Sequence, residues 1–135
     1  MAAISEILRT ETDGTISFGD YTRTEKGKLD DHAFGGNVYK VRTSREMTKL
    51  EMNDAFVYES VPGTTVLHFE PASDGVRFTA EGAADAQITL GLKESTTYHI
   101  FVDDAEVGAM TTGISGKLSL SLALTEGEKR VNIRE

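Results

Sequence analysis

Three histidines, His32, His68 and His99, supply the imidazoles of this chain, and there is no cysteine. None of the three has a partner at metal-ligand spacing, so a zinc site would have to be assembled wholly by tertiary folding. Packed or solvated histidines are the expectation, with no metal and no cofactor. The absence of cysteine removes thiolate catalysis, disulfides and iron–sulfur clusters together. Asp30-Asp31-His32 is the most site-like cluster. Adjacent residues of a strand point to opposite faces, however, and these three converge only if a turn brings them round. Gly113-Ile114-Ser115-Gly116-Lys117 approaches a nucleophile elbow but lacks the final glycine, and it lies between β-like segments where a hairpin loop is expected. No Gly-rich loop precedes a helix, so no phosphate cradle is expected. Glycoside hydrolysis needs two acids about 5 to 9 Å apart across a cleft. With 22 acids in the chain, Glu51, Glu59 and Glu70 are candidates by number alone. No catalytic residue is assigned.

Binding chemistry is better represented. His99 and Phe101 alternate with the core-type residues Tyr98, Ile100 and Val102, which sends them to the opposite side of their strand. An outward Phe beside a His is a candidate contact for a second protein chain or a sugar ring. The competing expectation is that a second layer of the domain covers Phe101. Tyr21 and Tyr39, with Phe101, are the aromatic faces that a carbohydrate-binding module would use for stacking. Lys40, Arg42, Arg45 and Lys49 form a modest basic cluster, able to meet an anionic sugar or an acidic partner but expected to be a solvated face balancing acidic neighbours.

Whatever these residues do, they must be positioned by a small scaffold. The chain has 135 residues, 39% hydrophobic and 27% charged, which suits one globular domain with a single core. Glu6 and Arg9 interrupt the opening Met1 to Leu8 stretch, so no signal peptide is read, and no apolar run approaches the roughly 20 residues of a membrane span. A cytoplasmic location without membrane contact is the expectation. The net charge of −8 is spread over the chain, with 9 basic and 14 acidic residues before position 83 and 5 and 8 after it. Nucleic-acid binding needs a basic stripe, so it is excluded as an expectation.

Period-two alternation bounded by turn residues recurs along the chain, and helical periodicity is nearly absent. The clearest strand is Lys117 to Leu124, with Leu118, Leu120, Leu122 and Leu124 on one face. Ala86, Ile88, Leu90 and Leu92 alternate likewise, as do Tyr98, Ile100 and Val102, and Val131 with Ile133. Lys93 to Thr96, Asp103-Asp104, Gly113 to Gly116 and Glu126-Gly127-Glu128 supply the turns between them. In the middle of the chain, tight turns at Pro62-Gly63 and Asp74-Gly75 would face Tyr58 with Leu67, Phe56 with Phe69, and Phe69 with Ala80. A three-residue loop at Asn53-Asp54-Ala55 would pair Met52 with Phe56 and Leu50 with Tyr58, and burial favours it over a two-residue turn that opposes Glu51 to Phe56. Ile4 to Thr10, Thr15 to Phe18 and Val38 to Thr43 complete the expected strands, and Thr22 to His32 is too polar to place.

Leu92-Lys93-Glu94-Ser95-Thr96-Thr97-Tyr98, followed by Ile100 and Val102, resembles the tyrosine-corner segment of fibronectin type III and related sandwich domains. The resemblance covers about a dozen residues. It implies a buried Tyr98 whose hydroxyl bonds to nearby backbone, with Glu94 standing where proline is usual. Over its length the chain is also similar to short proteins of anaerobic Firmicutes. The shared segments are Thr12-Asp13-Gly14-Thr15-Ile16-Ser17-Phe18-Gly19-Asp20-Tyr21, Val57-Tyr58-Glu59-Ser60-Val61-Pro62-Gly63-Thr64 and Asp85-Ala86-Gln87-Ile88-Thr89-Leu90. Some of those proteins carry the label endosialidase. Sialidase-type catalysis is built on a large propeller, an arginine cluster and a tyrosine nucleophile, and no such residue is carried over to this chain.

The expectation is an all-β antiparallel sandwich or barrel-like sandwich of short strands, one domain over residues 1–135, with two lobes joined near 82–85. Its expected role is non-catalytic, by protein association or self-association. A carbohydrate-binding module is the alternative, and a small glycosidase comes after that.

Overall fold

A computed structural model describes residue 4 and residues 6–135. Among them thirteen strands form two antiparallel sheets packed face to face. The seven-stranded sheet has the order β1 (Leu8–Thr10), β2 (Ile16–Phe18), β7 (Thr65–Ala72), β8 (Gly75–Glu81), β13 (Lys129–Arg134), β10 (Thr97–Val102) and β11 (Ala105–Thr111). The six-stranded sheet has the order β12 (Lys117–Leu122), β9 (Ala86–Gly91), β6 (Ala55–Val61), β5 (Thr48–Met52), β4 (Asn37–Thr43) and β3 (Gly27–Phe34). No helix among the described residues is long and apolar enough to cross a membrane.

The alternating segments of the C-terminal half pair as their patterns require. Leu118 faces Leu90, Leu120 faces Ile88 and Leu122 faces Ala86 across β12 and β9, so one hydrophobic stripe serves two strands. Leu118 and Leu122 are buried, whereas Leu120 is half-buried. The strand ends at Leu122, and Leu124 enters the core from a short 3-10 turn, Leu124–Glu126, not from the expected strand. In the middle of the sandwich Phe18 meets Tyr58 at 5.4 Å and Phe69 at 5.6 Å, both edge to face, and Phe78 closes the group against Tyr58 at 5.7 Å. The 82–85 connection carries the chain from one sheet to the other, and a single hydrophobic cluster contains residues from both sides of it.

The hairpin expected at Pro62-Gly63 does not form, because β6 and β7 lie in different sheets. Gly63 abuts the Ser44 carbonyl, where a Cβ would collide, and its N–H donates to the Arg45 carbonyl at 3.0 Å. Thr64 then anchors the crossing through hydroxyl contacts with Tyr58 at 2.7 Å and Ser60 at 2.8 Å. Tyr58 therefore meets Phe69 across the sandwich, not Leu67 along a sheet. The next turn also differs: Ala72 pairs with Gly75, which centres the turn on Ser73 and Asp74. Gly75 is needed because a Cβ there would strike the Ile133 carbonyl of β13. A bulge between Leu67 and Glu70 moves Val66, in place of Phe69, opposite Ala80.

At Asn53-Asp54 both rejected and favoured pairings occur. Asn53 and Asp54 have φ of 54° and 64°, the left-handed pair of a two-residue turn, and Met52 pairs with Ala55. A bulge past Phe56 then restores Leu50 opposite Tyr58. Phe56 consequently faces outward beneath Lys117, whose ammonium lies 5.0 Å from the ring centroid. The polar stretch Thr22 to His32 runs into β3, an edge strand with a bulge at Asp31, φ 58°. The expected first strand is observed only over Leu8–Thr10, and Ser5 within it lies outside the described residues.

Tyr98 is buried at 1% exposure, and its hydroxyl accepts the Lys93 N–H at 3.1 Å. Tyr98→Phe should lose about 0.5 to 1.5 kcal/mol in urea denaturation, the worth of one such bond. An unchanged midpoint would remove the corner from the account of stability.

Candidate functional site

The nearest approach to a catalytic constellation is one that sequence spacing hides. The bulge in β7 puts His68 at φ 53° and brings its Nδ1 to 3.1 Å from Asp13 Oδ2 and 3.2 Å from Thr15 Oγ1. Thr15 Oγ1, however, donates to Asp13 Oδ1 at 2.6 Å, which directs its proton away from the imidazole. Ser17, fully buried, donates to Glu11 and accepts the His68 backbone N–H at 3.1 Å. Those hydroxyls hold the Asp13 and Glu11 carboxyls below their usual range. Both are thus oriented toward carboxylates, and an activated nucleophile needs its hydroxyl donating to the base. The cluster ties the β1–β2 hairpin to the β7 bulge.

The remaining sequence candidates are dispersed. Asp30 and Arg42 form an ion pair at 2.8 Å across β3 and β4, Lys40 pairs with Asp54 at 3.0 Å, and Lys49 lies 3.6 Å from Glu51. Three of the four basic residues are therefore balanced by acids, while Arg45 lies in the turn between β4 and β5. No three His, Asp or Glu side chains among the described residues are grouped to hold a metal. Tyr39 is buried in the core at 6% exposure, so its ring offers no free face for stacking. Tyr21 sits half-buried at the opposite end of the sandwich, its phenol pushed up by burial and by the nearby Glu81 and Asp20 carboxylates. A cavity of about 220 Å³ opens between the sheets, walled by Met52, Val57, Phe69, Val76, Leu92 and Tyr98. Its one charged lining residue, Lys93, is paired with Glu135 at 2.6 Å.

His99 and Phe101 do project together from the outer face of the seven-stranded sheet. His99 Nδ1 lies 2.7 Å from Glu106 Oε2. Phe101 is half-buried under the Arg134 guanidinium, 4.6 Å from its ring centroid. Beyond them lies β11, joined to β10 by a two-residue turn in which Asp103 and Asp104 have φ of 51° and 69°. All seven residues of β11 are exposed, so the six-stranded sheet does not reach under it. Val107 is 63% and Met110 42% exposed, and Ile114 in the following loop 88%.

β11 is a sheet edge, with one face of its backbone unpaired. Thr112 N–H donates to the Thr96 carbonyl at 2.9 Å, and the alternation of an antiparallel ladder then turns Met110 and Gly108 toward β10. The N–H and C=O groups of Ala109 and Thr111 accordingly point off the edge. The other three edges are blunted in recognised ways. β1 has three residues, and β3 carries Lys28, Asp30, Asp31 and a bulge. β12 starts at Lys117 and exposes serines whose hydroxyls bond to Thr89 at 3.1 Å and Gln87 at 2.8 Å. In the sequence β11 shows no alternation, because neither of its faces is buried. The Asp103-Asp104 turn was its available signal, since a two-residue turn returns a strand at once.

Comparison with protein-family models, with curated proteins and with solved structures returns no match.

Proposed function

We propose that this protein is a non-catalytic β-sandwich module that works by protein association, with β11 and the adjoining His99 and Phe101 as its contact surface. One observation carries the reading: β11 combines outward backbone groups with exposed Val107 and Met110, and its only charge is Glu106. An apolar open edge is a template for strand addition from another chain, in which main-chain bonds give affinity and side chains give selectivity. Beside it the Glu106 side chain is tied to His99, with Oε2 2.7 Å from Nδ1.

A photo-crosslinking amino acid in place of Met110, in cells making the full chain, should yield one discrete protein adduct. The adduct should disappear when Ala109→Pro is added, and the same probe in place of Ser119 on β12 should give none. Equal labelling at the two positions, or an adduct indifferent to Ala109→Pro, would contradict the reading.

A further inference from the structure

We infer that the strand received by β11 is β11 of a second copy of this chain, paired antiparallel about a two-fold axis through Ala109. This rests on the reading of β11 as the contact edge and specifies its partner.

Register and side-chain size carry the inference. Residues opposed across an antiparallel pair share a face, and the outward backbone groups belong to Ala109 and Thr111. Placing Ala109 opposite Ala109 of the second copy makes the central hydrogen-bonded pair from the smallest side chain with a Cβ. Gly108 then lies opposite Met110 of the second copy, and the symmetry repeats this contact. A Cβ at Gly108 would have no atom within 4 Å, and Met110 is 42% exposed, so a long flexible side chain meets an empty place on both sides of the axis. Glu106 lies beyond the bulge between Ile100 and Phe101, outside the paired segment, so no like charges oppose one another there. About Ala109 the regular stretch opposes only Gly108 to Met110, with Thr111 meeting Val107 at the bulge, and so short a pairing suits a reversible dimer.

Charge sets a second requirement. Each copy carries −8, and two such copies repel at low ionic strength. Added salt screens this repulsion, so the dimer should tighten as sodium chloride rises.

Sedimentation equilibrium of the full chain tests the proposal, together with three variants. The wild type should dimerise with a dissociation constant on the order of 100 µM, tighter in high salt. Ala109→Pro should weaken the dimer at least about tenfold and leave the monomer's circular dichroism unchanged, because proline is tolerated where an edge N–H faces solvent. Met110→Lys should weaken it similarly. Because the chain lacks cysteine, Ala109→Cys reports the register: the hydrogen-bonded pair sets Cα atoms about 5.5 Å apart, within disulfide range, so mild oxidation should cross-link it at least about tenfold faster than Ser119→Cys. A wild type that stays monomeric at about 500 µM in high salt, or equal cross-linking of the two cysteine variants, would overturn the proposal. A discrete adduct of different mass at Met110 in cells, alongside a monomeric purified chain, would overturn the self-pairing and leave the contact edge standing.

Discussion

Phe18→Ala should cost about 3 to 5 kcal/mol of folding stability, the range for truncating a buried aromatic. Phe18 is 0% exposed, and both Tyr58 and Phe69 pack their rings against it edge to face. It also stands between the sheets, so the void cannot close by moving one strand. Part of the loss is apolar burial, and part is the aromatic contacts themselves, worth about 0.5 to 1.5 kcal/mol each. Urea denaturation followed by circular dichroism reads this as a lower midpoint at constant slope. A loss below about 1 kcal/mol would mean that the aromatic group is not the centre of the core.

Thr64→Val should cost about 2 to 4 kcal/mol even though shape is preserved, because it strands two buried hydroxyls. Thr64 Oγ1 is the partner of both Tyr58 Oη and Ser60 Oγ, and all three residues are fully buried. The same residue's N–H donates to Thr48 Oγ1 at 3.1 Å and its carbonyl accepts from that hydroxyl at 2.9 Å, contacts the substitution leaves in place. The loss thus isolates the side-chain network at the β6–β7 crossing. Tyr58→Phe in the same chain removes one of the stranded groups, so the double variant should be less destabilised than the sum of the singles. Strict additivity in a double-mutant cycle would contradict the network.

These two positions mark what was legible in the sequence. Strands with one buried face announce themselves: the leucines of β12, Ile88 and Leu90 of β9, and Val131 and Ile133 of β13 all fall where alternation puts them. The all-β sandwich follows from them. Which strands share a sheet was not legible at Pro62-Gly63, since a tight turn and a sheet-to-sheet crossing use the same residues. Gly63 and Thr64 are explained by the Ser44–Arg45 loop and by Thr48, both distant in sequence from the corner. Bulges were equally hidden, because their positions depend on packing against the facing sheet. One of them turns Phe56 outward and another gathers His68 with Asp13, 55 residues away.

The candidate surface was half legible. Antiphase to Tyr98 and Ile100 placed His99 and Phe101 on the outer face, where they are found. β11 escaped notice because a strand exposed on both faces has no periodicity to read. Tyr39 was misleading as an aromatic on a polar strand, since its side of β4 is the core side.

Amide hydrogen exchange at Ala109 and Thr111 tests the openness of the β11 edge most directly. In dilute solution both amides should exchange nearly as fast as in an unstructured chain, while Met110, bonded toward β10, stays protected. Protection of Ala109 and Thr111 equal to that of Met110 at the lowest concentration would mean that this edge is already covered within a single chain, and would contradict the account.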